Sequence, residues 1–464
     1  MSERRRAIGF WDLALYAVAV GFGIRWLAYG AAAGPASLPL WLIAMVGFLI
    51  PLVAATAELV GRFPGEGGIY DWTRETLGPF TGFVTGWLYW TCNLPFFSAV
   101  LYFALTNLAA AAGPAARHAL ADPWIFGSVA CAIAVAVGIL HLLGLGTGKW
   151  LTNVGSIAVA ILTAILLALG LAVAIRSGPA TDFVHASYAP PLNADGAALW
   201  AVMVFAYGGP ESLAFLRDDV AGGVRQIVKV LILVGVVVSA AYVAGDMAIL
   251  SILKTADASR LAGLPDAYTL GFAKVGLKQL GFLPPLLFGL SALGGYSAWF
   301  GLAARLPFAI GVDHYFPKAF AIRDRRTGAP IVAIIVQVIA TVALVILGQA
   351  GATVKAAYDF LTSMSVISYT IPFAFLFLAY LKVRGPAAPG VWVAPGGIAG
   401  RKTLAWMGLA LTASGIACTI IPSPEEADKL GAVIKLFEAT AVLIGIGVAI
   451  YGAAVFRRRE APAA

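Results

Sequence analysis

Gly21-Phe22-Gly23-Ile24-Arg25 and Phe205-Ala206-Tyr207-Gly208-Gly209-Pro210-Glu211 each interrupt an apolar stretch that otherwise reads as one unbroken membrane-crossing helix. In hydrocarbon a helix satisfies its own hydrogen bonds. An interruption at that depth is tolerated only where the freed N–H and C=O groups meet protein, water or a ligand. The two breaks lie roughly 185 residues apart, the second near the start of a second five-helix unit. That is the spacing of two inverted repeats that share one ligand site.

Composition supports the membrane reading. Of 464 residues, 61% are hydrophobic and 12% charged, with 12 Trp, 26 Phe and a mean hydropathy of +0.89, which excludes an ordinary soluble domain. The net charge of +8 does not point to nucleic acid, because the basic residues form short clusters between apolar spans. Windows of about 20 apolar residues predict about twelve crossings, near 12–36, 40–61, 80–112, 123–143, 149–175, 197–216, 227–252, 279–309, 329–349, 358–382, 402–421 and 431–455. The basic arm Met1–Arg6 runs into a long span without a small-residue cleavage site, so it reads as a retained first helix. With that arm inside, 21 of the 31 Lys and Arg fall on the cytoplasmic side and nine on the other, with Arg25 at membrane depth. The bias predicts both termini in the cytoplasm. The connections between spans are short, so residues 1–464 form one membrane domain.

A helix that stops at Gly21 and restarts after Ile24 turns carbonyl oxygens from one half and N–H groups from the other toward one small volume. A carboxylate suits the N–H end and an ammonium the carbonyl end, although glycines also serve plain helix packing in membranes. At the second break Gly208-Gly209-Pro210 leads into Glu211, an acid at membrane depth. Such a group lines a pathway or sits in a structural hydrogen bond beside a proline kink. Phe205 and Tyr207 offer rings that gate a ligand or simply pack. For Arg25 three readings compete: an ion pair with Glu211, a contact to a substrate carboxylate, or snorkelling toward water. Asp246, in the outer part of the seventh span, is a candidate for proton or cation handling or an acid merely hydrated near a span end. Glu58, Arg62, Asp218, Asp219, Arg305 and Asp313 read as a cytoplasmic charge network, either a latch for alternating access or an anchor.

Other chemistries find no footing. Cys92, Cys131 and Cys418 fall singly in apolar spans and read as small core residues. His118, His141, His185 and His314 lie in loops or at span ends without ligand spacing, so no metal site is expected, and no cofactor. Gly144-Leu145-Gly146-Thr147-Gly148-Lys149 lacks phosphate-loop spacing, and no hydrolytic triad or dinucleotide fingerprint appears. A membrane enzyme or channel would need an acid or histidine cluster, or a repeated filter.

Several residues in order resemble the amino acid–polyamine–organocation superfamily of permeases, which have the leucine-transporter fold. The resemblance runs from about Gly9 to Tyr380. It is carried by Gly21-Phe22-Gly23-Ile24, Ala57-Glu58-Leu59, Arg62-Phe63-Pro64, Gly67-Gly68-Ile69-Tyr70, Leu77-Gly78-Pro79-Phe80 with Gly86-Trp87, and Phe205-Ala206-Tyr207 to Glu211. Ser291-Ala292-Leu293-Gly294 to Arg305, Asp313, Pro317-Lys318-Ala319-Phe320 and Thr327-Gly328-Ala329-Pro330 continue it.

The resemblance implies an all-α membrane protein with a five-plus-five inverted repeat, about 9–176 and 196–383, discontinuous helices 1 and 6, and a C-terminal helix pair at about 401–456. It implies a non-enzymatic permease of the inner membrane that moves amino acids or amines. Proton-coupled symport and substrate–product exchange, including glutamate-type exchange, are its two mechanistic variants, and polyamine transport is a further alternative. By position, Gly21, Gly23 and Ile24 would hold the substrate carboxylate, and Phe205, Ala206, Tyr207 and Gly208 would receive the ammonium. Trp90 and Asn93 match a Trp-x-x-Asn pattern whose Asn reaches the substrate, and Glu211 would gate or couple. Two departures stand out. Val159 occupies the place of a lysine that handles protons in some relatives, and Arg25 stands where an apolar residue is common, which weakens the case for a cationic substrate unless Glu211 neutralises the guanidinium.

Overall fold

The computed structural model describes residues 8–258, 263–349, 354–421 and 428–460. The basic arm Met1–Arg6 and Arg260, counted above, lie outside them, as do the side chains of Lys355, Lys435, Arg458 and Arg459. The described residues are built from helices, joined by one isolated β-bridge between Ile8 and Val220.

The first half comprises α1 (Phe10–Gly21), α2 (Trp26–Ala32), α3 (Ser37–Ala44), α4 (Ile50–Arg62), α5 (Ile69–Leu77), α6 (Pro79–Thr91), α7 (Asn93–Ala112), α8 (Pro114–Ala119), α9 (Pro123–Leu142) and α10 (Leu145–Ser177). A π-helical turn, Met45–Leu49, joins α3 to α4. The second half comprises α11 (Ala194–Ala206), α12 (Gly223–Ile252), α13 (Gly263–Val275), α14 (Leu283–Ala303), α15 (Arg305–Val312), α16 (Ile331–Gln349) and α17 (Val354–Lys382), followed by α18 (Gly397–Thr419) and α19 (Lys429–Glu460).

Local chemistry sets several boundaries. Asp122 accepts from the amides of Trp124 and Ile125 at 2.8 and 3.0 Å, with Pro123 at the first helical position, so α9 starts there. Asn193 caps α11 through the amide of Gly196 at 2.9 Å. Both expected breaks are present. α1 ends at Gly21 and α2 resumes at Trp26 with a 48° bend, and α11 ends at Ala206. The second half of that crossing is a 3-10 helix, Pro210–Leu216, rather than an α-helix.

Among the described residues eight helices are long and apolar enough to cross a membrane, and the bent α1–α2 pair makes nine. The twelve crossings expected from windows of hydropathy count more. Here Ile331–Leu347 and Ser368–Lys382 are shorter apolar helices. The outer surfaces of α9, α10, α12 and α19 carry exposed Ile, Val and Leu, as a lipid-facing surface requires. Trp11 and Trp150 project near one face of the bundle and Trp124 near the opposite one, the belt positions of amphipathic rings.

Close helix contact rests on small residues. A Cβ on Gly155 of α10 would lie 2.5 Å from the Cα of Gly294 on α14, and the reverse holds at 2.4 Å. Backbones that near one another gain packing without any hydrophobic drive, which lipid does not supply. The substitution Gly155→Leu is expected to force α10 and α14 apart at a cost of about 3 kcal/mol or more. A sharp fall in folded, monodisperse protein on size-exclusion chromatography would show it; a parent-like profile would contradict this packing.

Candidate substrate site at the paired helix breaks

Freed backbone at the two breaks is partly spoken for. The Tyr242 hydroxyl of α12 accepts from the Gly23 amide at 3.2 Å and donates to the Ala206 carbonyl at 3.1 Å, so one side chain ties both interruptions together. Gly209 has φ +121°, and a Cβ there would fall 2.2 Å from the Val20 carbonyl oxygen. Only glycine permits that conformation and that approach. The Ile24 amide has no hydrogen-bond partner among the described residues.

Between the breaks lies a cavity of about 140 Å³. Gly23, Ile24, Arg25, Asn93, Phe205, Ala206 and Gly208 line it, seven of the twelve residues singled out from the sequence. Its walls are aromatic: Trp26 meets Phe205 edge-on at 5.5 Å, Phe205 meets Tyr369 at 5.2 Å, and Trp299 meets Tyr369 at 5.9 Å. The Arg25 guanidinium lies 4.3 Å from the centroid of the Trp26 ring and 5.5 Å from that of Phe96, where ring quadrupoles favour a cation. Asn93 donates from Nδ2 to the Tyr89 carbonyl at 2.6 Å, leaving Oδ1 as an acceptor. Val159, at the place of the lysine, is also on the wall.

The other five residues lie elsewhere. Gly21 packs against the Pro210 ring. Trp90 turns toward α16, where its indole donates to Gln337 Oε1 at 3.1 Å, because it sits on the opposite flank of the helix from the breaks. The Tyr207 hydroxyl points to the Trp41 carbonyl at 3.3 Å. Glu211 is 1% exposed; its Oε1 accepts from the Tyr89 hydroxyl at 2.5 Å and the Tyr369 hydroxyl at 3.0 Å, and its Oε2 from the Gly209 amide at 2.9 Å. Neutral donors therefore fill this carboxylate, and the Arg25–Glu211 ion pair is not formed. Asp246 is fully buried inside α12 rather than hydrated at a span end.

Sequence reading missed Tyr89, Tyr242, Trp299 and Tyr369. Each is an aromatic residue inside an apolar span, a pattern shared with ordinary core rings, and Tyr242 sits one helical turn before Asp246.

The face that carries Ile8 is closed by the expected charge network, with different pairings. Ile8 donates to the Asp219 carbonyl at 3.1 Å and accepts from Ala221 at 3.0 Å, joining the lead-in of α1 to the exit of the second broken crossing. Arg305 binds Asp219 at 2.5 Å and Glu66 at 3.7 Å. Arg323 also pairs with Glu66, whereas Asp313 pairs with Arg74 and Tyr70 rather than Arg305. Asp12 of α1 holds Lys149 at 2.7 Å and Asn153 at 2.8 Å on α10. Burial works to raise the Glu66 carboxyl, but the Arg305 and Arg323 guanidiniums outweigh it and hold the group below its ordinary 4.5. A depressed carboxyl contributes stability above its ordinary value and loses it only as pH falls through the lowered one, so the network persists through mildly acidic pH.

Removing the bridging hydroxyl with Tyr242→Phe leaves two buried backbone groups unsatisfied at about 1–3 kcal/mol each. The expected outcome is an apparent melting temperature lowered by several degrees and a slowed transport cycle. Unchanged melting in detergent would contradict the bridge.

Known proteins resemble this chain in sequence and in fold. The chain is 24% identical to an uncharacterized transporter of Legionella pneumophila, covering 86% of each chain. It is 22% identical to a probable agmatine/putrescine antiporter of Lactococcus lactis, covering 83% of this chain and 81% of that one. Its fold matches MhsT, solved in complex with L-phenylalanine, with a TM-score of 0.62 and 13% identity over 90% of this chain and 99% of that one. The manganese transporter of Eremococcus coleocola matches with a TM-score of 0.55 and 16% identity over 96% and 92%. The expected leucine-transporter fold is thus the fold present, and the relatives are transporters rather than enzymes. Residues 8–447 match the sequence model of amino acid permeases, and the chain belongs to that family.

Proposed function

We propose that this permease carries a small solute with a carboxylate and an apolar or aromatic side chain across the inner membrane, with both termini in the cytoplasm and a proton as coupling ion. One observation carries the substrate class. Among the described residues the cavity between the breaks has one charged residue on its wall, Arg25, and no acid. The substrate carboxylate meets the Arg25 guanidinium and the Ile24 amide, while its ammonium meets Asn93 Oδ1 and carbonyl oxygens near the second break. The aromatic walls take the side chain. A dication of the agmatine or putrescine kind, which the name of the Lactococcus relative suggests, would face Arg25 with no acid among the described residues of the wall, since Glu211 is occupied by Tyr89, Tyr369 and Gly209.

Alternating access then works on the paired breaks. Glu211, Tyr89 and Tyr369 form the floor on the side of Ile8, and the Arg305–Asp219–Glu66 and Asp12–Lys149 pairs latch the same side further out. Releasing them frees α1 and the 3-10 segment to swing.

Reconstitution in liposomes with a radiolabelled panel of neutral, acidic and basic amino acids and of amines tests the reading. Uptake of neutral apolar amino acids is expected; selective uptake of amines would overturn it. Arg25→Ala should weaken carboxylate-bearing substrates by roughly ten- to a hundredfold, the worth of a charge-assisted hydrogen bond. Equal loss for amines lacking a carboxylate would assign Arg25 a structural role.

A further inference from the structure

Asp246 lies one helical turn beyond Tyr242 on α12 and takes no part in the cavity wall. It is 0% exposed, and its Oδ2 accepts from the Trp41 indole at 2.7 Å. Its Oδ1 has no hydrogen-bond partner. The Ser37 hydroxyl faces the same carboxyl and is itself a buried oxygen without a partner. The site is closed by α2: Gly30 stands against the carboxyl so tightly that a Cβ would fall 1.9 Å from Oδ2, and Leu27 packs on Gly245 beside it.

The surroundings are uncharged. From α3 come Ser37 and Trp41, from α2 the bare Gly30, from α12 itself the phenol of Tyr242 and from the second break that of Tyr207. Among the described residues no Lys, Arg or His bears on the carboxyl directly; Arg25 acts on Tyr242. An ionised carboxylate sealed in such a place, met only by the Trp41 indole and the Ser37 hydroxyl and by no cation among the described residues, is strongly disfavoured. The neutral acid carries no such charge to desolvate, and its O–H donates to Ser37 Oγ while Oδ2 still accepts from Trp41.

This chemistry communicates with the breaks. Trp41 stacks on Tyr242 with ring centroids 4.2 Å apart and planes within 2°, and the Tyr242 hydroxyl holds Gly23 and Ala206. We propose that Asp246 is the proton-binding site that couples transport to a proton gradient. With α2 packed on α12 the carboxyl keeps its proton; when α2 swings away, water reaches Oδ1, the O–H bond breaks and the proton leaves as hydronium. The coupling role rests on the permease reading above, whereas proton binding itself does not.

Asp246→Asn is a permanently neutral isostere. In liposomes loaded with the panel amino acid that the parent carries fastest, it is expected to exchange that amino acid within about twofold of the parent. It should lose accumulation driven by an inward proton gradient by tenfold or more, with a rate that no longer varies between pH 5 and 8. Parent-like accumulation overturns the proposal, and so does loss of exchange in a folded protein, which would make Asp246 structural. If Asp246→Asn does not fold, Ser37→Ala serves: loss of one hydrogen-bond partner should shift the pH profile by roughly half a unit or more with maximal exchange intact, and an unshifted profile overturns the site. Without any substrate, purified parent should show a tryptophan-fluorescence step between pH 5 and 9 that both variants alter; overlapping curves overturn the site. A parent that keeps the step yet carries none of the panel overturns the amino acid reading and leaves the proton site standing.

Discussion

Two helices that stop halfway across a membrane must place their loose ends somewhere, and in this protein a single hydroxyl takes one from each. Tyr242 accepts the Gly23 amide and donates to the Ala206 carbonyl. Each of these groups, left bare in hydrocarbon, would cost several kcal/mol. The bridge fixes the distance between the breaks, and with it the width of the cavity. Trp41 holds the Tyr242 ring by stacking, and Gly209 lets the second break come against the end of α1. Backbone that is not consumed, such as the Ile24 amide, is what a ligand can use.

The cavity is guarded by neutral chemistry rather than by an ion pair. Glu211 sits beneath it, saturated by two phenols and an amide, which separates the acid from Arg25. The guanidinium keeps its place over Trp26 and Phe96. A buried cation and a buried anion held apart each need their own partners, and the structure supplies aromatic faces to one and hydrogen-bond donors to the other. The division leaves Arg25 as the charge among the described residues of the cavity wall.

Among the described residues the pairs made by Lys and Arg lie at the face of Ile8 and where α4 meets the C-terminal helices. Glu58 is 1% exposed and collects Arg62, Arg401, the Tyr380 hydroxyl and the Ala394 amide. This cluster fastens α18 to α4 and to the end of α17 and has no hand in the breaks. The Asp12, Asp219 and Glu66 pairs join elements that belong to the broken crossings or sit beneath them. Breaking a buried pair leaves an uncompensated charge, so pairs at the rim, where water can replace a partner, are the ones suited to repeated opening.

Hydropathy and glycine placement alone determined the all-helical membrane class, the interruptions at Gly21–Arg25 and Tyr207–Gly209, and six of the residues that line the cavity, because hydrophobic length and helix-breaking are local properties of the chain; Asn93, also on the wall, followed only from the resemblance to the family. The directions of Trp90 and Tyr207, the saturation of Glu211, the pairing of Arg305 with Asp219 instead of Asp313, and the burial of Asp246 were decided only by tertiary packing. Each depends on which flank of a helix meets which neighbour. A sequence position near a span end says nothing of whether a glycine such as Gly30 on another helix will come close enough to shut out water. Tyr242, Tyr89 and Tyr369 were illegible for the same reason: a phenol becomes a bridge only when a distant segment brings it an unpaired amide, carbonyl or carboxyl.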